Sequence, residues 1–131
     1  MPTATALKHV IGFVVTAKPD EARRFYGDVL GLRLLTDDAF ALAFDAHGTM
    51  IRVTKAKTHT PAQGTVLGWE VPDLHAAIRE LVARGVAFEQ FGLPFITQDE
   101  HGAWLSPNGD RVAWFKDPDG NTLSLSQHVG R

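Results

Sequence analysis

Apolar residues recur along this chain with two different periods. Ala22, Phe25, Tyr26, Val29 and Leu30 fall at i, i+3, i+4, i+7 and i+8, the stripe of one helix face. Leu74, Ala77, Ile78, Leu81 and Val82 repeat that spacing step for step. Pro19 suits the opening position of the first helix, Asp20 and Glu21 place negative charge near its start, and Gly31 suits a left-handed stop. For the second helix Asp73 is an N-cap and Gly85 the stop. Two helices of one design are therefore predicted.

Around them lie short runs with strand character, at 10–15, 33–36, 40–44, 49–54, 66–71, 87–90, 103–106, 111–115 and 122–126. Asn108-Gly109 is a strong hairpin signal, and Asp117-Pro118-Asp119-Gly120 predicts a tight turn that sets the register of its flanking strands. Each half reads as strand, helix, then hairpin-linked strands, an α+β plan with internal duplication. The first module spans about 7–57 and the second about 65–128. Residues 58–64, with Pro61 and no periodicity, form the linker.

A length of 131 residues fits one domain. A formal charge of -2 gives no electrostatic footprint for nucleic acid or an anionic membrane, so a small molecule is the expected partner. The lack of cysteine rules out disulfides, thiolate metal sites and a cysteine nucleophile. The apolar run at 10–15 is too short for a signal sequence or a membrane span, and the expected compartment is the cytoplasm.

Three segments then carry a resemblance. Phe25-Tyr26-Gly27-Asp28-Val29-Leu30-Gly31-Leu32, Leu67-Gly68-Trp69-Glu70-Val71 leading into Asp73-Leu74, and Asp117-Pro118-Asp119-Gly120-Asn121 together resemble the vicinal oxygen chelate superfamily, which includes glyoxalases, bleomycin-resistance proteins and extradiol dioxygenases. The resemblance implies tandem βαβββ modules whose eight main strands form a curved mixed sheet around a pocket, with the helices on the outer face. It does not imply one reaction, because function resides in the site.

Metal-using relatives place His and Glu ligands on the first and last strands of each module. Carried across, the resemblance puts Trp69, Ser124 and Arg52 at three of these positions. The remaining one falls on Ile11, or on His9 if a two-residue insertion is allowed. Divalent ions need lone-pair donors, and Trp, Ile and a protonated Arg offer none. No metal and no cofactor are therefore expected. A register shifted by one residue would instead turn Glu70 inward in place of Trp69. The alternation of Thr122, Ser124 and Ser126 with Leu123 and Leu125 independently places Ser124 off the helix-packed face.

By the same parity Trp114 shares the pocket with Ser124, and Trp69 faces it from the matching strand. Two indoles near Arg52 suit a flat or aromatic ligand bearing an anionic group, with Phe44 and Met50 as an apolar wall. The alternative is that both tryptophans are core residues and Arg52 reaches solvent. His101, in Gln98-Asp99-Glu100-His101-Gly102, belongs either to a lid supplying an acid or base or to a solvated loop. His9 lies at the rim, His47 in a turn, His59 in the linker, His75 in the first turn of the second helix and His128 in the tail. None is paired in sequence with a recognisable nucleophile.

The leading expectation is a metal-independent protein of the bleomycin-resistance kind that binds a small aromatic or anionic molecule. The alternative is a lyase, epimerase or dioxygenase using a metal, or using Glu70, Asp99 or His101 for proton transfer. A third is a protein with a filled pocket that acts by association. The module edges need covering, and relatives commonly form homodimers, so a homodimer is expected.

Overall fold

Chain reversals set the frame, and glycine holds positive φ at the ones that matter. His47 (φ 56°) and Gly48 (φ 96°) give the paired left-handed geometry of a two-residue hairpin, and Gly120 (φ 86°) closes the Asp-Pro-Asp-Gly turn. In the computed structural model, which describes residues 6–130, these turns organise eight strands. They are β1 (Ile11–Thr16), β2 (Arg33–Asp37), β3 (Ala41–Ala46), β4 (Thr49–Lys55), β5 (Thr65–Glu70), β6 (Trp104–Leu105), β7 (Arg111–Lys116) and β8 (Thr122–Gln127).

The first predicted helix begins as α1 (Pro19–Arg23) and continues as a π-helical segment, Arg24–Val29, where the Leu30 N–H reaches back to the Phe25 carbonyl. The second is α2 (Leu74–Ala83), whose N-cap Asp73 accepts a hydrogen bond from the Ala76 N–H at 3.1 Å. The predicted strand at 87–90 is no strand: only Phe88 bridges to Phe115. The run at 103–106 contracts to the two residues of β6.

The strands form two four-stranded mixed sheets, ordered β1-β4-β3-β2 and β5-β8-β7-β6. In each, the first and last strands of the module pair in parallel and the other pairs are antiparallel. This α+β architecture agrees with expectation, although the sheets remain two and do not close. They meet at β1 and β5, where a Cβ on Gly12 would lie 3.5 Å from Leu67 Cδ1. Both residues belong to the helix-packed sides, so the two open faces lie on the same side of that contact.

One apolar core joins the helix-packed sides of both modules. Tyr26, Phe44, Val53, Leu74, Phe115 and Leu123 are fully buried within it, and Phe25 packs on Phe115 across the modules with ring centroids 6.3 Å apart. Burial of such side chains contributes roughly 1.5–3 kcal/mol each.

The Asp117-to-Asn121 turn fastens the second module to the first. Asp119 accepts from the Thr16 hydroxyl at 2.5 Å and from the Ala17 N–H at 2.8 Å, and Asn121 Nδ2 donates to the Val15 carbonyl at 3.0 Å. The Tyr26 hydroxyl donates to Asp117 Oδ2 at 2.7 Å. Asp117 is itself buried, and its other oxygen accepts from the N–H groups of Asp119 and Asn121. His59, from the linker, lies 2.7 Å from Asn121 Oδ1. Buried polar groups thus find partners across the seam, as they must.

Candidate functional site

Residues directly paired across a sheet project to the same face, so strand pairing decides what the open faces display. In the second sheet one row holds Trp114, Ser124 and Gly68. A Cβ on Gly68 would fall 2.6 Å from Ser124 Oγ, which shows that the serine hydroxyl occupies the space glycine leaves. The next row holds Trp104, Val112, Ser126 and Glu70. The Trp104 and Trp114 rings are tilted by 34° at a centroid distance of 6.1 Å, and Phe91 meets Trp114 edge-on at 5.3 Å. Partly exposed, these three rings form an aromatic wall beside a polar strip of serines.

In the first sheet the open face displays Ile11, Met50 and Asp45 in one row and Phe13, Arg52 and Ala43 in the next. Ile11 opens β1, while His9 precedes the strand and is exposed. Arg52 stands near Asp38, whose carboxyl is held below its ordinary range by the N–H groups of Phe40 and Ala41 first, with the Arg52 charge adding a smaller pull.

Two expected pocket residues lie elsewhere. Trp69 pairs with Leu125, and Leu125 with Ala113, so its indole belongs to the helix-packed side and Glu70 takes the open face. The physical reason is that Leu67, Trp69 and Val71 alternate as the apolar face of β5 and pack on the core, helped by a bulge at Val66 that resets the register. Phe44 is also a core residue, with no exposure and its ring 6.0 Å from that of Tyr26. Trp114, Ser124, Arg52, Met50 and Ile11 do share the open side. Trp104 was missed, yet the Asn108-Gly109 hairpin carried the signal: it pairs Trp104 with Val112, on the Trp114 face.

A cleft of about 620 Å³ lies on the helix side between the modules, bounded by Trp69, Leu32, Arg33, Ala77, Leu81 and Arg84. Arg84 bridges it, donating to the Val29 carbonyl and to Glu80, each at 2.8 Å. It is an open groove, and Glu70 at the end of β5 also borders it.

His101 sits in a small polar cluster. His75 Nε2 is 2.7 Å from Asp99 Oδ2, and the His75 and His101 rings meet edge-on at 5.9 Å. Burial pushes the Asp99 carboxyl up, but hydrogen bonds from His75 and from the Ala103 and His101 N–H groups outweigh it and hold the group low. The cluster ties the loop before β6 to the first turn of α2.

The positions that a metal would need do not fit one. Ile11 and Arg52 present no lone pair, Ser124 presents a neutral hydroxyl, and Trp69 lies on the far side of its sheet. Glu70 adds a single carboxylate to the open face. Among the described residues no three His, Cys, Asp or Glu side chains converge as a metal ligand set. Among them, too, no helix is long and apolar enough to cross a membrane.

Solved structures of the same fold are numerous. The antibiotic binding protein TnmS3 from Streptomyces sp. CB03234 is 24% identical, with a TM-score of 0.67 over 95% of this chain and 98% of its own. A bleomycin resistance determinant encoded on the transposon Tn5 is 18% identical, with a TM-score of 0.71 over 94% and 99%. The lactoylglutathione lyase from Agrobacterium tumefaciens is 18% identical, with a TM-score of 0.68 over 99% and 100%. No curated protein sequence matches. Residues 6–125 match the family model described as Glyoxalase/Bleomycin resistance protein/Dioxygenase superfamily, and the chain belongs to that superfamily.

Proposed function

We propose that the protein binds a small planar molecule on the open face of its second sheet without a metal or other cofactor. The observation that carries this reading is the Trp104–Trp114 pair with Phe91, three rings in contact and partly exposed on a sheet face rather than enclosed in the core. Stacking on such rings supplies area and orientation, and the serine strip supplies hydroxyls. Arg52, on the open face of the neighbouring sheet, suits an anionic substituent. The antibiotic-binding and bleomycin-resistance proteins of like fold lend support.

The open face of the first sheet also exposes Ile11 and Phe13, with Phe13 59% accessible. Apolar exposure of this extent suits a second copy of the chain, so the binding form is a homodimer whose partner covers the ligand. A second reading, a cofactor-independent enzyme of the superfamily, is favoured by Glu70, which stands on the open face beside Ser126.

Quenching of tryptophan fluorescence by a library of aromatic carboxylates and phosphates tests the proposal. Trp104→Ala and Trp114→Ala are expected to weaken binding by roughly tenfold or more, Arg52→Leu to weaken anions selectively, and Trp69→Ala to leave affinity unchanged. Loss of binding in Trp69→Ala, with the Trp104 and Trp114 variants unaffected, would move the site to the cleft on the helix side.

A further inference from the structure

Ser126, His128 and Asp110 form a hydrogen-bonded line at the end of the serine strip. Ser126 Oγ lies 2.8 Å from His128 Nε2, and His128 Nδ1 lies 2.9 Å from Asp110 Oδ2. The line is sheltered, with the His128 side chain 21% and the Asp110 side chain 16% exposed. A carboxylate only accepts, so in the neutral ring Nδ1 carries the proton and Nε2 the lone pair. The serine hydroxyl is then the donor to His128, and among the described residues no hydrogen bond reaches the lone pairs of Oγ.

Other contacts keep this arrangement in place. Asp110 Oδ1 accepts from the Val129 N–H at 3.1 Å, and Asn108 Nδ2 approaches Oδ2 at 3.4 Å. The Val129 N–H first, and then His128, hold the Asp110 carboxyl below its ordinary range, so it stays an anion. Ser126 faces the open side in the row of Val112 and Trp104, one row from Trp114. A nucleophile, a base and a group that orients the base thus stand in hydrogen-bonding order next to an aromatic wall.

We infer that Ser126 is a nucleophile, with His128 as its general base and Asp110 as a positioning residue, acting on aryl esters whose aromatic part stacks on Trp104 and Trp114. Ser126 Oγ attacks the ester carbonyl carbon while its proton passes to His128 Nε2. The tetrahedral adduct collapses, the bond from carbon to the aryl oxygen breaks, and the departing phenolate takes the proton from His128. Water then attacks the acyl-serine, giving a proton to His128. Ser126 Oγ leaves and regains that proton as the carboxylic acid departs. A phenolate leaves readily, and Glu70 in the same row disfavours anionic acyl groups. The choice of aryl esters rests on the binding reading of the Trp104–Trp114 wall, whereas the serine chemistry itself can hold or fail separately.

The test is covalent. Protein treated with 4-nitrophenyl acetate or with a fluorophosphonate is expected to gain one adduct by intact mass, mapped to the peptide containing Ser126, with a burst of nitrophenolate. Ser126→Ala is expected to lose both adduct and burst while melting at the parent temperature. His128→Gln is expected to slow acylation about 100-fold. Asp110→Asn is expected to slow acylation at an unchanged half-saturating ester concentration, a split that a merely structural role would not produce. An absent adduct on folded parent protein, an adduct on another residue, or labelling that is indifferent to His128→Gln overturns the assignment. Loss of ligand quenching with labelling intact would instead count only against the binding proposal.

Discussion

Replacing Tyr26 by phenylalanine removes one oxygen atom from the seam between the two sheets and leaves the ring packing against Phe25 and Phe44 in place. The lost atom is the hydroxyl that donates at 2.7 Å to Asp117, a carboxylate that is itself buried. A hydrogen bond to a charged group is worth about 1.5–3 kcal/mol, and Asp117 keeps its bonds to Asn121 Nδ2 and to backbone N–H groups. For a chain of this length each kcal/mol corresponds to about 4 °C, so Tyr26→Phe is expected to lower Tm by roughly 6–12 °C at neutral pH.

The same bond has an alkaline signature. Burial first, then the charge of Asp117 and the hydrogen bond to it, push the Tyr26 phenol far above its ordinary value of 10.0. The folded chain therefore keeps this proton where the unfolded chain loses it. Its contribution is complete below pH 10 and declines above it by up to about 1.4 kcal/mol per pH unit. In Tyr26→Phe that decline is absent, so the stability gap between parent and variant closes as pH rises from 10 to 11. Urea unfolding at pH 7, 9, 10 and 11 measures both effects. A neutral-pH Tm within 2 °C of the parent, or parallel alkaline limbs, would refute the role of the seam.

Two further outcomes follow from the site and the turn. Gly120→Ala puts a side chain at a left-handed residue and a Cβ 3.2 Å from Pro61 Cγ, so a loss of about 1–2 kcal/mol or more is expected in thermal melts, whereas a neutral effect would contradict the turn geometry. Titration with Mn(II), Ni(II) and Zn(II) by calorimetry is expected to show no equimolar uptake, because the open face does not assemble a ligand set; tight one-to-one binding would overturn that donor accounting.

Much of the fold was legible in local chemistry. Asp73 caps its helix, the stripe from Leu74 to Leu81 packs inward, and Gly31 and Gly85 hold the positive φ that ends each helix. Periodicity of two likewise placed Ser124 and Trp114 on one face, because Leu123 and Leu125 had to meet the core. The same rule applied to Leu67, Trp69 and Val71 turns Trp69 toward the helices, against the position that the family resemblance implies for it. For Phe44 the local pattern gives no face. Four consecutive buried residues, Ala41 to Phe44, carry no alternation from which a face could be read.

What the sequence determined by itself was therefore each element, its capping and the parity of strands with one wet face, all of which depend on neighbours a few residues away. The tertiary structure alone decided which distant residues meet. Thr16 and Asp119 are 103 positions apart and share a hydrogen bond across the seam, while Asp110 and His128 are joined by the pairing of β7 with β8. The Asp-Pro-Asp-Gly segment shows both levels at once. Its turn is local, set by Pro118 and Gly120, but its use as the fastening between modules required Val15, Thr16 and Tyr26 to arrive from the other end of the chain.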